Sequence, residues 1–408
     1  MKRVRKSMAI LAALLMGINI SINAEMPKGT VVIGNRAYDL NYANNPKNST
    51  EINKAISSSN SIYMKSFNGN WIDYKSGVTI SKSLIPSVIY TGADGTIKLY
   101  DINDGMDHEI YNAIDIHTYQ TVTTLTVTGT SDTNFELTYN IGQLSTSPYQ
   151  KEMDLKVEGD GMKIITDTNG YKQAVIKKNI KAGEVLEYKI IRSFSNSGII
   201  YNGHISNTMG DYSSFSEYDK YISPGEKIES DNVLIQNKAQ ELTQGITNPY
   251  LKAENIYRFV NMNVNYDEKY SNKGALSALT TRKGVCEDYS DLFVALLRAA
   301  GVPARVATGF LLKPDAFSNG DENVTKSAYS WSEFYIPEYG WIPSDIALDS
   351  TLSSNKIDNL NGFAHFDTST HILGGYFTSR TSQNGYAKWN YSAGTLDVKI
   401  DTSVRKIN

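Results

Sequence analysis

Strict alternation of apolar and polar residues dominates residues 110–205. Thr123, Leu125 and Val127 alternate with Val122, Thr124, Thr126 and Thr128, and Phe135, Leu137, Tyr139 and Ile141 alternate with polar neighbours. Period-two runs of this kind predict half-buried strands. Lys181-Ala182-Gly183-Glu184 reads as a turn before a strand over Val185 to Phe194. Turn signals roughly every ten residues predict an all-β sandwich. Upstream, residues 28–105 mix short strand-like runs (Thr30 to Gly34, Ser61 to Lys65, Trp71 to Tyr74) with turns such as Asn68-Gly69. A short helix capped by Ser49 or Thr50 completes what reads as a small α+β module without a catalytic constellation.

The period changes after residue 222. Asp231 is placed to cap a helix from Val233 to about Leu242 that buries Leu234, Ala239 and Leu242. Pro249 opens a second helix, with Ala253, Ile256, Tyr257 and Val260 on one face and Asn265-Tyr266-Asp267 at its end. A third helix follows Gly284 in the run GVCEDYSDLFVALLRAA, where Cys286, Tyr289/Ser290, Phe293, Leu296/Leu297 and Ala300 form one apolar stripe. Cys286 thus falls in the first turn of a packed helix, where the helix N-terminus is expected to lower its pKa, opposed by Glu287 and Asp288 if they point the same way. Residues 302–310 then read as a strand. Residues 328–336 and 341–346 read as two more, joined by the hairpin turn Pro337-Glu338-Tyr339-Gly340. Tyr329, Trp331, Glu333 and Tyr335 share a face of the first hairpin strand. If Tyr335 lies opposite Trp341, Trp331 lies beside Asp345, and Tyr329 lies diagonal to it.

Composition adds compartment and partner class. Lys2, Arg3, Arg5 and Lys6 precede a mostly apolar run from Met8 to Ile22 with Ala24 beyond it, the layout of a signal peptide over residues 1–24. Its removal shifts the formal charge from −3 to −7. That balance argues against nucleic acid as a partner. No second apolar span follows, so no stable membrane span is expected after the signal is removed, and the protein is expected to be secreted or associated with the cell envelope. Cys286 is the single cysteine. It cannot form an internal disulfide and reads either as a packed core thiol or as a nucleophile. No paired His or Cys spacing suggests a metal site, Asp101 to Gly105 does not fit a calcium loop, and no cofactor is expected.

Over about residues 110–380 the sequence resembles the bacterial transglutaminase-like (papain-fold cysteine protease-like) superfamily. The resemblance rests on Tyr221 to Asp231, Glu241-Leu242-Thr243 and Asn248-Pro249-Tyr250, on Gly284-Val285-Cys286-Glu287-Asp288-Tyr289, and on Leu297 to Arg305. Tyr335 to Trp341, Pro343-Ser344-Asp345 and Phe363 to Gly375 complete it. It implies an α+β fold, a papain-like transglutaminase core over 209–408 with a C-terminal β extension preceded by a β-sandwich over 109–208; the small module over 25–108 rests instead on the strand-like runs described above. The resemblance also implies a Cys-His-Asp triad. Cys286 matches the nucleophile and Asp345 the orienting carboxylate, whereas the histidine position, two residues before Trp331, holds Tyr329. A tyrosine is neutral at pH 7 and cannot form an imidazolium–thiolate pair. Trp331 and Trp341 are expected to line the cleft. Of the five histidines (His108, His117, His204, His365 and His371) none is directed at the thiol by its spacing; His365 and His371 lie in the closing segment of the same domain, where service as a substitute base is the lesser alternative, and surface or core positions are expected. The expected function is therefore a weakly active or inactive thiol-domain protein that binds an extracellular peptide, protein or cell-wall polymer. The alternative is a cysteine-dependent acyl-transfer enzyme, peptidase, amidase or glutamine-crosslinking, acting on such peptides.

Overall fold

The computed structural model describes residues 31–33, 36–38, 62–65, 71–73, 79, 87–91, 97–101, 106–142, 147–166, 172–202, 205, 208, 210, 212–213, 215–313, 316–318, 320–337, 339–351, 360–377, 387–392 and 394–407. The signal segment, the helix expected near Ser49, the turn at Asn68-Gly69, most of the Asp101 to Gly105 run and His204 lie outside the described residues. In the N-terminal region the described residues form one sheet of seven short strands. These are β1 (Val31–Ile33), β2 (Arg36–Tyr38), β3 (Ile62–Lys65), β4 (Trp71–Asp73), β5 (Ser87–Thr91), β6 (Ile97–Asp101) and β7 (Met106–His108). Their order is β4-β3-β1-β2-β5-β6-β7.

The alternating region folds as expected, into long antiparallel strands: β8 (Tyr111–Gly129), β9 (Thr133–Gly142), β10 (Gln150–Glu158), β11 (Lys163–Thr166), β12 (Lys172–Ile180) and β13 (Val185–Tyr201). Leu125, Val127, Leu137, Ile176 and Ile190 are buried between the two sheets they build. The helical region carries α1 (Tyr218–Ile222), α2 (Val233–Thr243), α3 (Pro249–Asn263), β14 (Asn265–Tyr266), α4 (Ala275–Thr281), β15 (Lys283–Gly284) and α5 (Cys286–Ala299). It is followed by β16 (Ala304–Leu311), β17 (Glu322–Asn323), β18 (Ala328–Ile336), β19 (Gly340–Ser344), α6 (Ile346–Thr351) and β20 (His371–Phe377). The last strands are β21 (Ala387–Tyr391) and β22 (Leu396–Lys406).

Helix α5 packs against β16 and β18 of a four-stranded antiparallel sheet ordered β19-β18-β16-β20, while α2, α3 and α4 flank it. Every residue from Asp288 to Arg298 is buried, so the single stripe read from the sequence understates a helix enclosed on all sides. Three local differences have simple causes. Asn232, not Asp231, caps α2, its side chain accepting from the Leu234 N–H, and this start turns Ile235 and Ala239 inward and leaves Leu234 half exposed. The segment after α3 is not just its end, since Asn265–Tyr266 pairs in parallel with Lys283–Gly284. Helix α4 escapes periodicity because its buried residues, Ala275 and Ala278, carry little apolar surface.

The C-terminal β extension does not append to the core. β22 pairs along β8 and β21 pairs with β9, giving sandwich sheets ordered β10-β13-β8-β22-β17 and β11-β12-β9-β21. The helical core and its sheet are thus an insertion between strands of the sandwich. Among the described residues no helix is long and apolar enough to cross a membrane.

The core sheet is fixed at its centre by a buried ion pair. Glu333 has no exposure, and its Oε2 accepts from Arg305 Nε at 2.8 Å and Nη2 at 2.6 Å. Its Oε1 accepts from the hydroxyls of Tyr149 at 2.6 Å and Tyr376 at 3.3 Å. Removing one charge of such a pair strands the other in a medium that cannot solvate it. Glu333→Gln is expected to lower unfolding free energy by about 3–5 kcal/mol, read from urea melts, whereas converting both Glu333 and Arg305 to apolar residues should cost less.

Candidate active site

The thiol is placed by a cap without a capping side chain of the usual kind. Val285 occupies the N-cap of α5 and offers no acceptor, so Asp288 does the work from the third helical position. Its Oδ2 accepts from the N–H groups of Val285 at 3.0 Å and Asn272 at 3.2 Å, and its Oδ1 from those of Lys273 at 2.7 Å and Gly274 at 2.9 Å. Four backbone donors on one fully buried carboxylate tie the loop before α4 to the start of α5. Asp288 therefore points away from the sulfur. Gly284 is required by the same contact, since a Cβ there would sit 2.5 Å from the Asp288 Cβ.

The opposite wall is the β18–β19 hairpin, whose register is the expected one: Tyr335 pairs with Trp341 and Ser332 with Ser344. Asp345 follows directly and is 1% exposed. The Tyr329 hydroxyl donates to Asp345 Oδ1 at 3.0 Å, so the diagonal contact read from the hairpin is made. The Leu348 N–H donates to the same oxygen at 3.0 Å. The second oxygen, Oδ2, is taken by His371 Nε2 at 2.9 Å. This imidazole, for which a surface or core position is the leading expectation, is brought to the candidate site, a placement that its spacing in the sequence does not indicate. It is 4% exposed, stacks on Phe366 at 3.8 Å and meets the Trp331 edge at 5.2 Å. His365 instead turns to the Phe363 carbonyl at 2.9 Å.

Cys286 is 8% exposed. Burial pushes its thiol up to about 12, the charges of Glu287 and Asp345 act in the same direction, and backbone hydrogen bonds from Ser330 and Glu287 oppose them. This corrects the expectation that the helix N-terminus would lower the thiol's pKa: loss of solvent outweighs the helix field. Tyr329 is held well above the ordinary phenol value by burial first, then by the charge of Asp345 and by Cys286. It can serve as a hydrogen-bond donor but not, in this state, as a base. The two tryptophans do not line an opening. Trp331 has no exposure and donates its indole N–H to the Tyr149 hydroxyl at 2.9 Å. Trp341, 9% exposed, packs against Tyr221 and Tyr335 and covers the Arg305 guanidinium at 3.9 Å. Among the described residues no group of His, Cys, Asp and Glu side chains is arranged to hold a metal ion.

Residues 236–346 match the family model described as the transglutaminase-like superfamily. A Haemophilus influenzae protein described as uncharacterized is 31% identical over 149 residues, covering 32% of this chain and 40% of that protein. A protein-glutamine gamma-glutamyltransferase of Pseudomonas aeruginosa is 34% identical over 73 residues, covering 16% of this chain and 10% of that enzyme. The matched stretches thus span less than two thirds of either relative. Among solved structures, a candidate cysteine protease from Cytophaga hutchinsonii aligns with a TM-score of 0.50 at 17% identity, covering 73% of this chain and 93% of that one, a likeness of fold.

Two measurements check the site. With the thiol at about 12, thiolate is on the order of one part in 10⁵ at pH 7, so alkylation of the folded protein by iodoacetamide should be very slow and rise about tenfold per pH unit through pH 9. A plateau near pH 7 would contradict the burial argument. Asp288→Ala leaves four backbone donors without their acceptor and should lower unfolding free energy by at least about 3 kcal/mol, measured by chemical denaturation.

Proposed function

We propose, from the match of residues 236–346 to the transglutaminase-like superfamily, that this is an exported protein whose papain-like thiol domain binds an extracellular peptide or cell-wall polymer and turns it over weakly or not at all. The observation that carries this reading is the pairing at Asp345. Residue 329, on the strand that faces the thiol, is a tyrosine donating to the carboxylate where an imidazole would be needed to take the thiol proton. The raised thiol supports it, because a protonated sulfur is a poor nucleophile. Export is supported by the basic and then apolar start of the sequence. The N-terminal seven-stranded sheet is the element assigned to attachment.

The second reading is an active acyl-transfer enzyme on amide bonds. It is favoured by one observation, the retention of a buried carboxylate with an imidazole on it beside the thiol's wall. In that reaction the Cys286 sulfur would attack the amide carbonyl carbon, the C–N bond would break as the thiol proton passes to the departing amine, and water or a second amine would then cleave the thioester and return the thiol. The oxyanion would draw on backbone N–H groups, among them that of Cys286, and the Tyr329 hydroxyl would donate to the oxyanion or the departing amine.

The two readings separate on the wild-type protein. Hydrolysis of cell-wall stem peptides and incorporation of a fluorescent primary amine into a glutamine-containing protein are compared for wild type and Cys286→Ala. The binding reading expects wild-type rates at or little above the Cys286→Ala background, with calorimetric binding of stem peptides or sedimentation with purified cell wall retained in both. Turnover by wild type at an ordinary enzymic rate, about 1 s⁻¹ or faster, that Cys286→Ala abolishes establishes the enzyme reading instead.

A further inference from the structure

We propose that His371 is a positioning residue: it clamps Asp345 through Oδ2 so that Oδ1 is presented to position 329, making residue 329 the single position at which an otherwise assembled Cys–His–Asp site is interrupted. The proposal deepens the functional reading above and rests on it.

Geometry carries the argument. Asp345 accepts from Tyr329 and the Leu348 N–H on one oxygen and meets His371 on the other, at 3.0, 3.0 and 2.9 Å. A carboxylate accepts only, so the imidazole donates from Nε2. Nδ1 of His371 is buried with no partner among the described residues, and a proton there would be an unpaired buried donor. We therefore take the imidazole as the Nε2–H tautomer, which orients the carboxylate through that N–H and leaves Nδ1 as an unpaired acceptor.

The segment bearing His371 is itself held from the sandwich. Asn196 Nδ2 donates to the carbonyls of Ser369 at 2.7 Å and His371 at 3.0 Å. The Gln150 amide exchanges hydrogen bonds with the Leu373 backbone at 2.8 and 3.0 Å. Gly309 lets the strand approach: a Cβ there would lie 1.9 Å from the Ile372 carbonyl oxygen. Such investment in one strand's register suits an orienting group; partners that orient metal-ligating side chains alter affinity or activity by about 10–100-fold, and an effect of that order is expected here.

The test reads Cys286 alkylation by iodoacetamide at pH 6, where the groups facing the thiol are Glu287, Asp345, the residue at 329 and Tyr266. Tyr329→His is expected to speed alkylation by about 100-fold or more over wild type, through an imidazolium–thiolate pair oriented by Asp345. Adding His371→Phe, which keeps the stack on Phe366, should remove about tenfold or more of that gain, and His371→Gln, which keeps a donor, should hold within about threefold. Melting temperatures accompany each rate, so that only folded variants are compared. The proposal is overturned if folded Tyr329→His reacts no faster than wild type, or if His371→Phe leaves the gain intact. An independent arm needs no substitution: long-range ¹H–¹⁵N spectra of wild type should show His371 protonated at Nε2, and protonation at Nδ1 overturns the assignment. Failure of the functional reading is seen elsewhere, as Cys286-dependent turnover by the wild-type protein at about 1 s⁻¹ or faster.

Discussion

A carboxylate with no access to water has to be answered on every lone pair, and Glu333 organises the molecule by that demand. Arg305 on the neighbouring strand supplies the countercharge, and its guanidinium is itself enclosed between the rings of Trp341 at 3.9 Å and Tyr376 at 3.4 Å. The remaining oxygen is answered by Tyr149, which comes from the sandwich, and by Tyr376 on the far strand of the core sheet. Tyr149 also accepts the Trp331 indole N–H. One buried charge therefore joins β16, β18, β20 and the sandwich, and it lies on the same face of β18 as Tyr329 and Trp331. The hydroxyl that meets Asp345 is aimed by this network. Partial satisfaction of such a network is worse than an apolar core, so the strands cannot drift independently.

Much of this was legible in the sequence where the information is local. Period-two alternation identified the sandwich strands, and a four-residue hairpin turn fixed which residues of β18 and β19 stand opposite one another, so the Tyr329–Asp345 contact could be read before any coordinates. The position of Cys286 at the head of an apolar helix was equally visible. The direction of its pKa was not, because two opposing effects had to be weighed. A helix terminus contributes up to about 2 kcal/mol, whereas full desolvation shifts a group by several pKa units. The apolar stripe around Cys286 was the available signal for the second effect.

His371 illustrates the other limit. It lies 26 residues beyond Asp345 and reaches it from β20, which pairs with β16 across an irregularity at Thr308 and Gly309. Alternation reports which residues share a face of one strand, not which distant strand adjoins it. The one available signal was a histidine opening a strand, His371–Phe377, in the segment that resembles the family's closing stretch. The C-terminal strands escaped placement for the same reason: Leu396, Val398 and Ile400 alternate with charged residues, but nothing local says that β8 is their partner.

The way the sandwich closes has a mechanical corollary. β22 runs antiparallel to β8, with Lys406 opposite Tyr119 and Leu396 opposite Gly129. The chain enters β8 and leaves β22 at the same end of that ladder. Tension applied between those two points loads the rungs one after another, beginning at Lys406, instead of sharing the load across all of them. Pulled from those two points, the outer scaffold would open like a zipper, and because β17 of the inserted core lies on β22 at Val404 and Ser403, the load would reach the thiol domain through that contact within the first rungs.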